Sequence, residues 1–335
     1  MSIGRRFLFF AAALAWPFAA LSAELSIEAQ SRALERAGAA MLGVETQAID
    51  GARSARTLGK ERSGSGVLIG NGLVLTIGYL ILEAEEVDLV TADLRRIPAR
   101  VTAYDQATGF GLVQALAPIG AAPVPLGRSA EVGREEPLLV MSGGEDGVAS
   151  PARLVARRPF SGYWEYHVDG ALFTSPPRRD HSGAGLFNLA GELLGVGSLY
   201  VTDALGADQP RMPGNMFVPV DLLKPVLAEL QARGTTHASE RAWIGISCVE
   251  ADGSVKVVRV SDDSPADVAG LQAGDQILRI DGTEVARLET LWKRLWSGGG
   301  PEREVTLEIQ RDGERQTLKV FSVDRAKTLR HAQGV

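Results

Sequence analysis

The stretch DHSGAGLFNLAGELLGV, residues 180–196, carries the most specific pattern in this chain of 335 residues. It places Ser182 beside Gly183, continues into a short strand-like run, and then turns at Asn188–Gly191. Glycine and asparagine favour the tight backbone of such a turn. A serine on a tight loop becomes a nucleophile only when a neighbouring base accepts its proton. The function of this stretch therefore depends on which residues surround Ser182.

The stretch resembles the nucleophile loop of the HtrA/DegP branch of the trypsin-like serine proteases. The Ser-Gly pair and the turn Asn-Leu-x-Gly-Glu-Leu-x-Gly carry the resemblance. The usual loop of the branch reads Gly-Asn-Ser-Gly-Gly. Here Ser182 is retained, Asp180 stands at the first glycine, and Ala184 stands at the last one. The resemblance implies a chymotrypsin-like fold in which Asp180 replaces the oxyanion glycine.

Two earlier segments extend the resemblance to the rest of the catalytic triad. GSGVLIGNGLVLTIGYLI, residues 64–81, is similar to the segment that ends in Thr-Asn-x-His-Val-Val in active members, and Tyr79 stands at the histidine position. DQATGFGLVQAL, residues 105–116, is similar to Asp-Pro-x-x-Asp-x-Ala-Leu-Ile, and Gly109 stands at the catalytic aspartate. Asp105 keeps the first, non-catalytic acid of that motif. Of the triad, the serine alone is retained.

These substitutions predict a site without serine protease chemistry. Tyrosine, with an ordinary pKa of about 10, stays protonated at neutral pH and is a poor proton acceptor. Gly109 has no side chain with which to orient a base. We expect Asp180 to strain a backbone shape that suits glycine and to place a carboxylate near a developing oxyanion. The prediction is a pseudoprotease; the alternative is an active serine endopeptidase in which a non-standard base activates Ser182.

Four histidines in the chain could replace the missing base. His181 adjoins Ser182, but neighbouring side chains on a tight loop usually diverge, so we expect a polar loop residue. His167 belongs to the alternating run WEYHVDGALF and is expected on an exposed strand face. His237 falls in a polar linker and His331 in the tail. No histidine is therefore assigned to the site.

No metal ion or other cofactor is expected. Tyr79, Asp180 and His181 could together bind a metal ion, but their spacing matches no metal-binding motif. The single cysteine, Cys248, can form no internal disulfide, and its setting WIGISCVE predicts a buried strand residue. The net charge of −6 and the lack of a basic run argue against nucleic acid as a partner.

The first residues, 1–23, predict a secretory signal peptide. Arg5 and Arg6 precede the apolar run Phe7–Ala15, and small residues follow around Ala19–Ala23. The apolar run is too short for a membrane-spanning helix, although an uncleaved signal would tether the chain to a membrane. Together with the family resemblance, the signal predicts a periplasmic protein.

The region after the N-terminal connector consists of short β-type runs broken by glycine and proline at regular spacing, which predicts a barrel or sandwich. Residues 217–234 change to helical periodicity. Pro219 and Asp221 fit the start of a helix, and Gly234 fits its end. Residues 235–241 then form a short polar linker.

The segment SPADVAGLQAGDQILRIDGTEV, residues 264–285, resembles the PDZ domains of the same branch. A helix, LETLWKRLWS, and a hairpin that turns at Asp312-Gly313 follow it. The resemblance implies a loop whose backbone N–H groups capture the terminal carboxylate of a peptide, while the peptide adds as a strand to an open sheet edge. The residues assigned to peptide binding are Trp243, Ile244, Gly245 and Ile246 in the loop and Leu291 and Leu295 on the helix. Alternatively, the tryptophan and the leucines belong only to the core.

The expected organisation is a signal peptide (1–23), an N-terminal helix, strand and connector (24–62), a trypsin-like domain (63–234), a linker (235–241), a PDZ domain (242–325) and a tail (326–335). The expected fold class is mostly β, a chymotrypsin-like double β-barrel followed by an α+β PDZ domain. HtrA trimers usually pack through N-terminal aromatic residues, and residues 24–62 contain none, so the oligomeric state stays open. The expected function is an exported pseudoprotease that binds peptide or protein C-termini in envelope protein quality control.

Overall fold

A computed structural model describes residues 26–134 and 136–330 of the chain. The expected signal peptide, residues 1–23, lies outside the described residues, and so do His331 and the end of the expected tail. Within the described residues, no helix is both long enough and apolar enough to cross a membrane. The described part of the chain is mostly β, with two closed barrels followed by a smaller α+β unit. The predicted fold class is confirmed.

The first barrel follows helix α1, Ile27–Ala39, which begins at Ser26, whose Oγ accepts a hydrogen bond from the N–H of Ala29 at 3.2 Å. Its strands are β1 (Met41–Ala48), β2 (Glu61–Leu68), β3 (Leu73–Ile77), β4 (Ala84–Val90), β5 (Arg96–Tyr104) and β6 (Phe110–Ala115). They pair antiparallel and close in the order β1-β2-β3-β6-β5-β4. Two short helices, α2 (Ala55–Leu58) and α3 (Gly78–Ile81), lie in the connections.

The second barrel repeats this arrangement. Its strands are β7 (Pro137–Met141), β8 (Ala149–Ser161), β9 (His167–Ser175), β10 (Gly185–Phe187), β11 (Leu193–Val201) and β12 (Gly214–Pro219). They close in the order β10-β11-β12-β9-β8-β7. One apolar cluster runs through both barrels and includes the fully buried rings of Phe110 and Phe173. The cleft between two barrels packed in this way can hold groups contributed by each of them.

The helix predicted after β12 begins later than expected. A 3₁₀ turn covers Val220–Leu222, and helix α4 covers Leu227–Arg233. The reason is Pro225, which lacks an N–H and disfavours helical backbone at the residue before it. Gly234 ends the helix with a left-handed φ of +75°, as its position in the sequence indicates.

The segment predicted as a polar linker is fixed to the first barrel. The hydroxyl groups of Thr236 and Ser239 donate to Oδ1 of Asp105 at 2.6 and 2.5 Å. Nη2 of Arg241 donates to the carbonyl of Gln106 at 2.9 Å. All these side chains are buried, and a buried polar group is costly unless it is paired. Asp105 therefore anchors the connection to the C-terminal unit.

The C-terminal unit has its own sheet and core. Its strands are β13 (Ala242–Trp243), β14 (Ile246–Ala251), β15 (Ser254–Val260), β16 (Gln276–Ile280), β17 (Thr283–Glu284), β18 (Glu304–Arg311), β19 (Glu314–Phe321) and β20 (Val323–Asp324), with helices α5 (Pro265–Val268) and α6 (Leu288–Ser297). The sheet order is β14-β15-β16-β18-β19, with β17 on β16, while β13 pairs with β20. Ser264 begins α5 by accepting the N–H of Asp267 at 3.3 Å. Cys248 is buried on β14, as predicted.

Candidate active site and peptide-binding groove

The loop that carries Ser182 is held between the two barrels. The N–H of Ser65 on β2 donates to the carbonyl of Ser182, and the N–H of Gly183 donates to the carbonyl of Gly197 on β11, each at 2.8 Å. Gly183 has a φ of +74°, and a Cβ at this position would lie 1.9 Å from the carbonyl oxygen of Ser65. Only glycine fits there. The backbone on both sides of the serine hydroxyl is therefore fixed.

Tyr79, on α3, contacts this serine directly. Its hydroxyl oxygen lies 2.8 Å from Oγ of Ser182 and 2.9 Å from the carbonyl oxygen of Ser198 on β11. The carbonyl can only accept a hydrogen bond, so a phenol that donates to Ser198 can accept one from Ser182. The structure brings together the two residues that the sequence places at the base and nucleophile positions.

The phenol of Tyr79 is protonated at neutral pH. Burial raises the pKa of Tyr79 to about 12, although the hydrogen bond with Ser182 offsets part of the rise. At pH 7, about one molecule in 10⁵ carries the phenolate form. A neutral phenol is a very weak base. The contact therefore gives the serine hydroxyl a hydrogen-bond partner that is a poor proton acceptor.

Gly109 lies beside the same site, with a φ of +84° and a carbonyl that accepts the N–H of Gly78 at 2.7 Å. A Cβ at residue 109 would lie 3.1 Å from the hydroxyl oxygen of Tyr166. Tyr166 is buried and donates to the carbonyl of Thr108 at 2.5 Å. Burial raises the pKa of Tyr166, so its phenol is also neutral. The space where the resemblance places an orienting carboxylate is filled by this ring.

Asp180 does not strain the loop, and that expectation is wrong. Among the described residues, Asp180 is not one of those with a positive φ. Its carboxylate accepts hydrogen bonds from Oγ of Ser142 at 2.5 Å and from Nε of Arg178 at 2.9 Å. Burial acts to raise the pKa of Asp180, but these hydrogen bonds outweigh burial and hold the pKa below its ordinary value. A carboxylate paired with a guanidinium thus stands two residues before Ser182.

No described histidine is hydrogen-bonded to Ser182. Nδ1 of His181 contacts the carbonyl of Arg178 at 3.1 Å, and burial lowers the pKa of His181. His167 is buried on β9, so the expectation of an exposed strand residue is wrong. Its ring lies between Oγ of Ser161, at 2.9 Å, and a carboxylate on the same strand. The packing of the C-terminal unit against this strand accounts for the difference, since α6 contacts β9.

The three side chains weighed as metal ligands use their polar atoms in separate contacts. The hydroxyl of Tyr79 contacts Ser182, the carboxylate of Asp180 contacts Arg178, and Nδ1 of His181 contacts a backbone carbonyl. A different group, His167, Asp169 and Glu289, has its ligand atoms within 4.8 Å of one another. Nζ of Lys293, however, lies 3.1 and 2.8 Å from the two carboxylates of that group. The ammonium group of Lys293 therefore already occupies the position that a metal cation would take.

A second candidate site lies in the loop Trp243–Ile246, between β13 and β14. The backbone N–H groups of residues 244–246 donate to the carboxylate of Glu165, and the three N···Oε1 distances are 3.3, 2.7 and 3.1 Å. Gly245 supplies the φ of +86° that this loop requires. Burial raises the pKa of Glu165 to about 7, while the loop N–H groups and Arg325 limit the rise. The loop is built to hold a carboxylate, and it holds one from the second barrel.

The edge of β14 is not open, contrary to the prediction from the sequence. The segment 162–165, which connects β8 to β9, lies along this edge. Trp164 pairs antiparallel with Ser247, and the N–H of Cys248 donates to the carbonyl of Tyr163 at 2.6 Å. An unpaired strand edge can form backbone hydrogen bonds with any extended segment that runs alongside it. Here a connection within the same chain provides that strand.

Helix α6 covers the other side of this segment. Nε1 of Trp292 donates to the carbonyl of Gly162 at 3.0 Å, so the segment lies in a groove between β14 and α6. Leu291 and Leu295, assigned to a side-chain pocket, are fully buried within the core of the unit, and Trp243 is half-buried. The groove thus has the walls expected of a peptide-binding site.

Known families and relatives match both parts of the chain. The trypsin-like peptidase domain family matches residues 64–196, and the PDZ domain family matches residues 242–321. A probable periplasmic serine endoprotease DegP-like of Ectopseudomonas mendocina is 27% identical over 275 residues, which are 77% of this chain and 55% of the relative. A protein of the same description from Pseudomonas savastanoi pv. phaseolicola is 33% identical over 155 residues, which are 42% of this chain and 30% of the relative.

A solved structure, that of the HtrA-type protease AlgW with tripeptide, is similar in fold. It superposes with a TM-score of 0.53 at 18% identity and covers 88% of this chain and 96% of its own. At this identity the likeness concerns the fold alone. The chain belongs to the HtrA/DegP-like family. This HtrA/DegP-like chain spans about half the length of the curated relatives it matches.

The sequence of this HtrA/DegP-like chain does not by itself reveal Glu165, Tyr166 and Arg178. The run WEYHVDGALF predicts an ordinary alternating strand. One signal is available, because Glu165 stands between two aromatic residues, and a buried carboxylate requires partners. No pattern along the chain indicates that those partners are the loop N–H groups of the PDZ domain, some 80 residues later in the sequence.

Proposed function

We propose that this HtrA/DegP-like protein is an exported pseudoprotease that binds peptide or protein C-termini through its PDZ domain. It acts as a scaffold, a chaperone-like binder or a regulator in protein quality control of the cell envelope. The proposed compartment is the periplasm, because relatives are described as periplasmic and residues 1–23 have the pattern of a signal peptide. The proposed domains are those given by the sequence, 63–234 for the trypsin-like part and 242–325 for the PDZ domain.

The contact between Tyr79 and Ser182 carries this proposal. In a working triad the group at hydrogen-bond distance from the serine takes its proton, and here that group is a half-buried, protonated phenol. Gly109 offers no replacement, since the ring of Tyr166 lies beside it. We therefore assign Ser182 as a vestigial nucleophile whose hydroxyl has a structural partner instead of a base.

The surroundings of Asp180 support the same conclusion. Loss of triad members leaves a residual acceleration of roughly 10³–10⁴-fold, which depends on the oxyanion hole and on substrate binding. The carboxylate of Asp180, at the oxyanion glycine position, is ionised and paired with Arg178. Negative charge at this position opposes the stabilisation of a second negative charge. We infer that the residual acceleration, which depends on the oxyanion hole, is also reduced.

Peptide binding is supported by the loop of the PDZ domain. Three consecutive N–H groups hold a carboxylate, which is the chemistry that captures a peptide terminus. The AlgW neighbour was solved with a tripeptide. The proposed binding residues are those of the loop, Trp243, Ile244, Gly245 and Ile246, with Leu291 and Leu295 beneath the groove.

Reaction with a fluorophosphonate probe tests the catalytic part of this proposal. The purified full chain and its Ser182→Ala variant are incubated with the probe, with active trypsin as the positive control. We expect equal background labelling of both chains, because the probe reacts with serines that a base has activated. Labelling of the wild type that disappears in Ser182→Ala would establish the alternative, an active serine endopeptidase with a non-standard base.

A further inference from the structure

The segment 162–165 follows the course of a bound C-terminal peptide. It runs antiparallel to β14, with Tyr163 opposite Cys248 and Trp164 opposite Ser247. Its last residue, Glu165, reaches the loop that precedes β14. A peptide that pairs antiparallel with β14 and places its terminal carboxylate on this loop must take the same path.

We propose that segment 162–165 is an internal ligand of the PDZ domain, in which the side-chain carboxylate of Glu165 replaces a terminal carboxylate and excludes external peptides until it is displaced. This inference rests on the proposed peptide-binding function. The protein then has a closed state, with Glu165 on the loop, and an open state, with the groove free for a partner.

The two ligands exclude each other because they need the same donors. The N–H groups of residues 244–246 all donate to Oε1 of Glu165, and a second carboxylate has no place on them. The backbone of the segment also uses the N–H of Cys248 and the indole of Trp292. Only the open molecules can bind an external peptide, so the closed state lowers its affinity. The apparent Kd of the peptide equals the intrinsic Kd divided by the open fraction.

Glu165 is the contact that decides the closed state. The ion pairs that join the PDZ domain to the barrels, Lys293 with Asp169 and Arg56 with Asp262, are solvent-exposed and contribute little. Glu165 is buried, and its removal leaves the loop donors without their acceptor. Because the segment is part of the same chain, its effective concentration at the groove is high without tight intrinsic binding.

Amide hydrogen exchange on the full chain tests the proposal. The wild type is compared with Glu165→Ala, which removes the acceptor of the loop N–H groups. Glu289→Ala is the matched control, because Glu289 lies at the same interface and contacts Lys293 instead of the loop. We expect exchange at residues 244–248 to rise at least about tenfold in Glu165→Ala and to stay unchanged in the control, as for a shift in the open fraction.

The same chains are titrated with a labelled peptide, RPFSGYW, the sequence of residues 158–164 with a free carboxyl end, and with its C-terminal amide. The acid peptide should bind Glu165→Ala about tenfold more tightly than the wild type. Unchanged exchange at 244–248 in a folded Glu165→Ala chain would overturn the internal ligand. Faster exchange without any preference for the acid peptide would support the internal ligand and refute recognition of external C-termini.

If Glu165→Ala does not fold, as judged by near-ultraviolet circular dichroism, the wild type decides the question. Saturation with the acid peptide must then increase exchange at residues 163–166, because the segment leaves the groove. A peptide that saturates the groove while exchange at 163–166 stays the same would overturn the proposal.

Discussion

Glu165 and Tyr166 are consecutive residues whose side chains reach two different sites. The carboxylate of Glu165 lies 2.7 Å from the backbone nitrogen of Gly245 in the PDZ loop. The hydroxyl of Tyr166 lies 2.5 Å from the carbonyl of Thr108, next to Gly109. One peptide bond therefore connects the groove of the PDZ domain to the surroundings of Ser182.

Restoring the histidine alone should not restore activity. In a Tyr79→His variant the imidazole has no carboxylate to hold its tautomer, because residue 109 is glycine and Tyr166 occupies the space beside it. We expect hydrolysis of a fluorogenic peptide to stay within the background of Tyr79→His/Ser182→Ala. Robust turnover that depends on Ser182 would show that Gly109 and Asp180 are not obstacles.

Restoring the aspartate should cost stability. Gly109→Asp introduces a side chain at a φ of +84° and against the ring of Tyr166, at 3.1 Å. Gly120→Asp is the control, since Gly120 has a φ of +86° in the same half of the molecule and its nearest non-neighbouring atom lies 3.7 Å away. We expect the free energy of unfolding to fall by about 1–3 kcal/mol in Gly109→Asp, and by less in the control.

Urea denaturation followed by circular dichroism gives both values. Equal losses in the two variants would mean that the ring of Tyr166 moves aside without cost.

The combined variant with histidine, aspartate and glycine at 79, 109 and 180 should recover activity only in part, because its aspartate still contacts the ring of Tyr166. Any gain over Tyr79→His alone should be abolished by Ser182→Ala.

The glycine of the PDZ loop should be essential for carboxylate recognition. A Cβ at Gly245 would lie 2.3 Å from Cβ of Ser264, so Gly245→Val must shift the loop donors. We expect the acid peptide to lose at least about tenfold in affinity, and the amide peptide to bind weakly to both chains. Gly253→Val has a comparable φ of +70° with nothing within 4 Å, and should bind as the wild type does. Calorimetry on the full chains measures each affinity, and equal binding of acid and amide would exclude carboxylate capture.

The closed state should depend on pH through Glu165. The pKa of Glu165 is about 7 when burial in the groove raises it, against an ordinary value of 4.5 when the groove is open. Glu165 therefore binds its proton more tightly in the closed state than in the open state. The extra stability of the closed state is fully present below pH 4.5 and is lost as the pH rises through about 7.

Affinity for the acid peptide should consequently increase between pH 5 and pH 8, by up to the order of a hundredfold. The charged and titratable groups near Glu165 are Arg325, Arg241 and Cys248. The arginines stay charged in this range, and the thiol stays neutral because burial raises the pKa of Cys248. Glu165→Ala removes the titrating group, so its affinity should not change over the same range. A wild-type profile as flat as that of the variant would contradict the assignment.

The sequence predicts the fold well because the elements are specified locally. Strand alternation, glycine turns such as Asp312-Gly313, and the cap at Ser264 all act within a few residues. The late start of α4 also has a local cause, since Pro225 is visible in the sequence. The expectations for His167 and for the open edge of β14 failed because both depend on how the PDZ domain docks on the barrel. Docking depends on side chains that are distant in sequence, such as Glu165 and Gly245.

Hydrolysis of unfolded casein by the full chain is the most direct test of the central claim, that Tyr79 holds Ser182 without activating it. Wild type and Ser182→Ala are assayed side by side at neutral pH, at concentrations where active trypsin digests the substrate completely. We expect the same background for both chains, because the partner of the serine is a phenol with a pKa of about 12. Cleavage by the wild type that is lost in Ser182→Ala would show that Ser182 is activated.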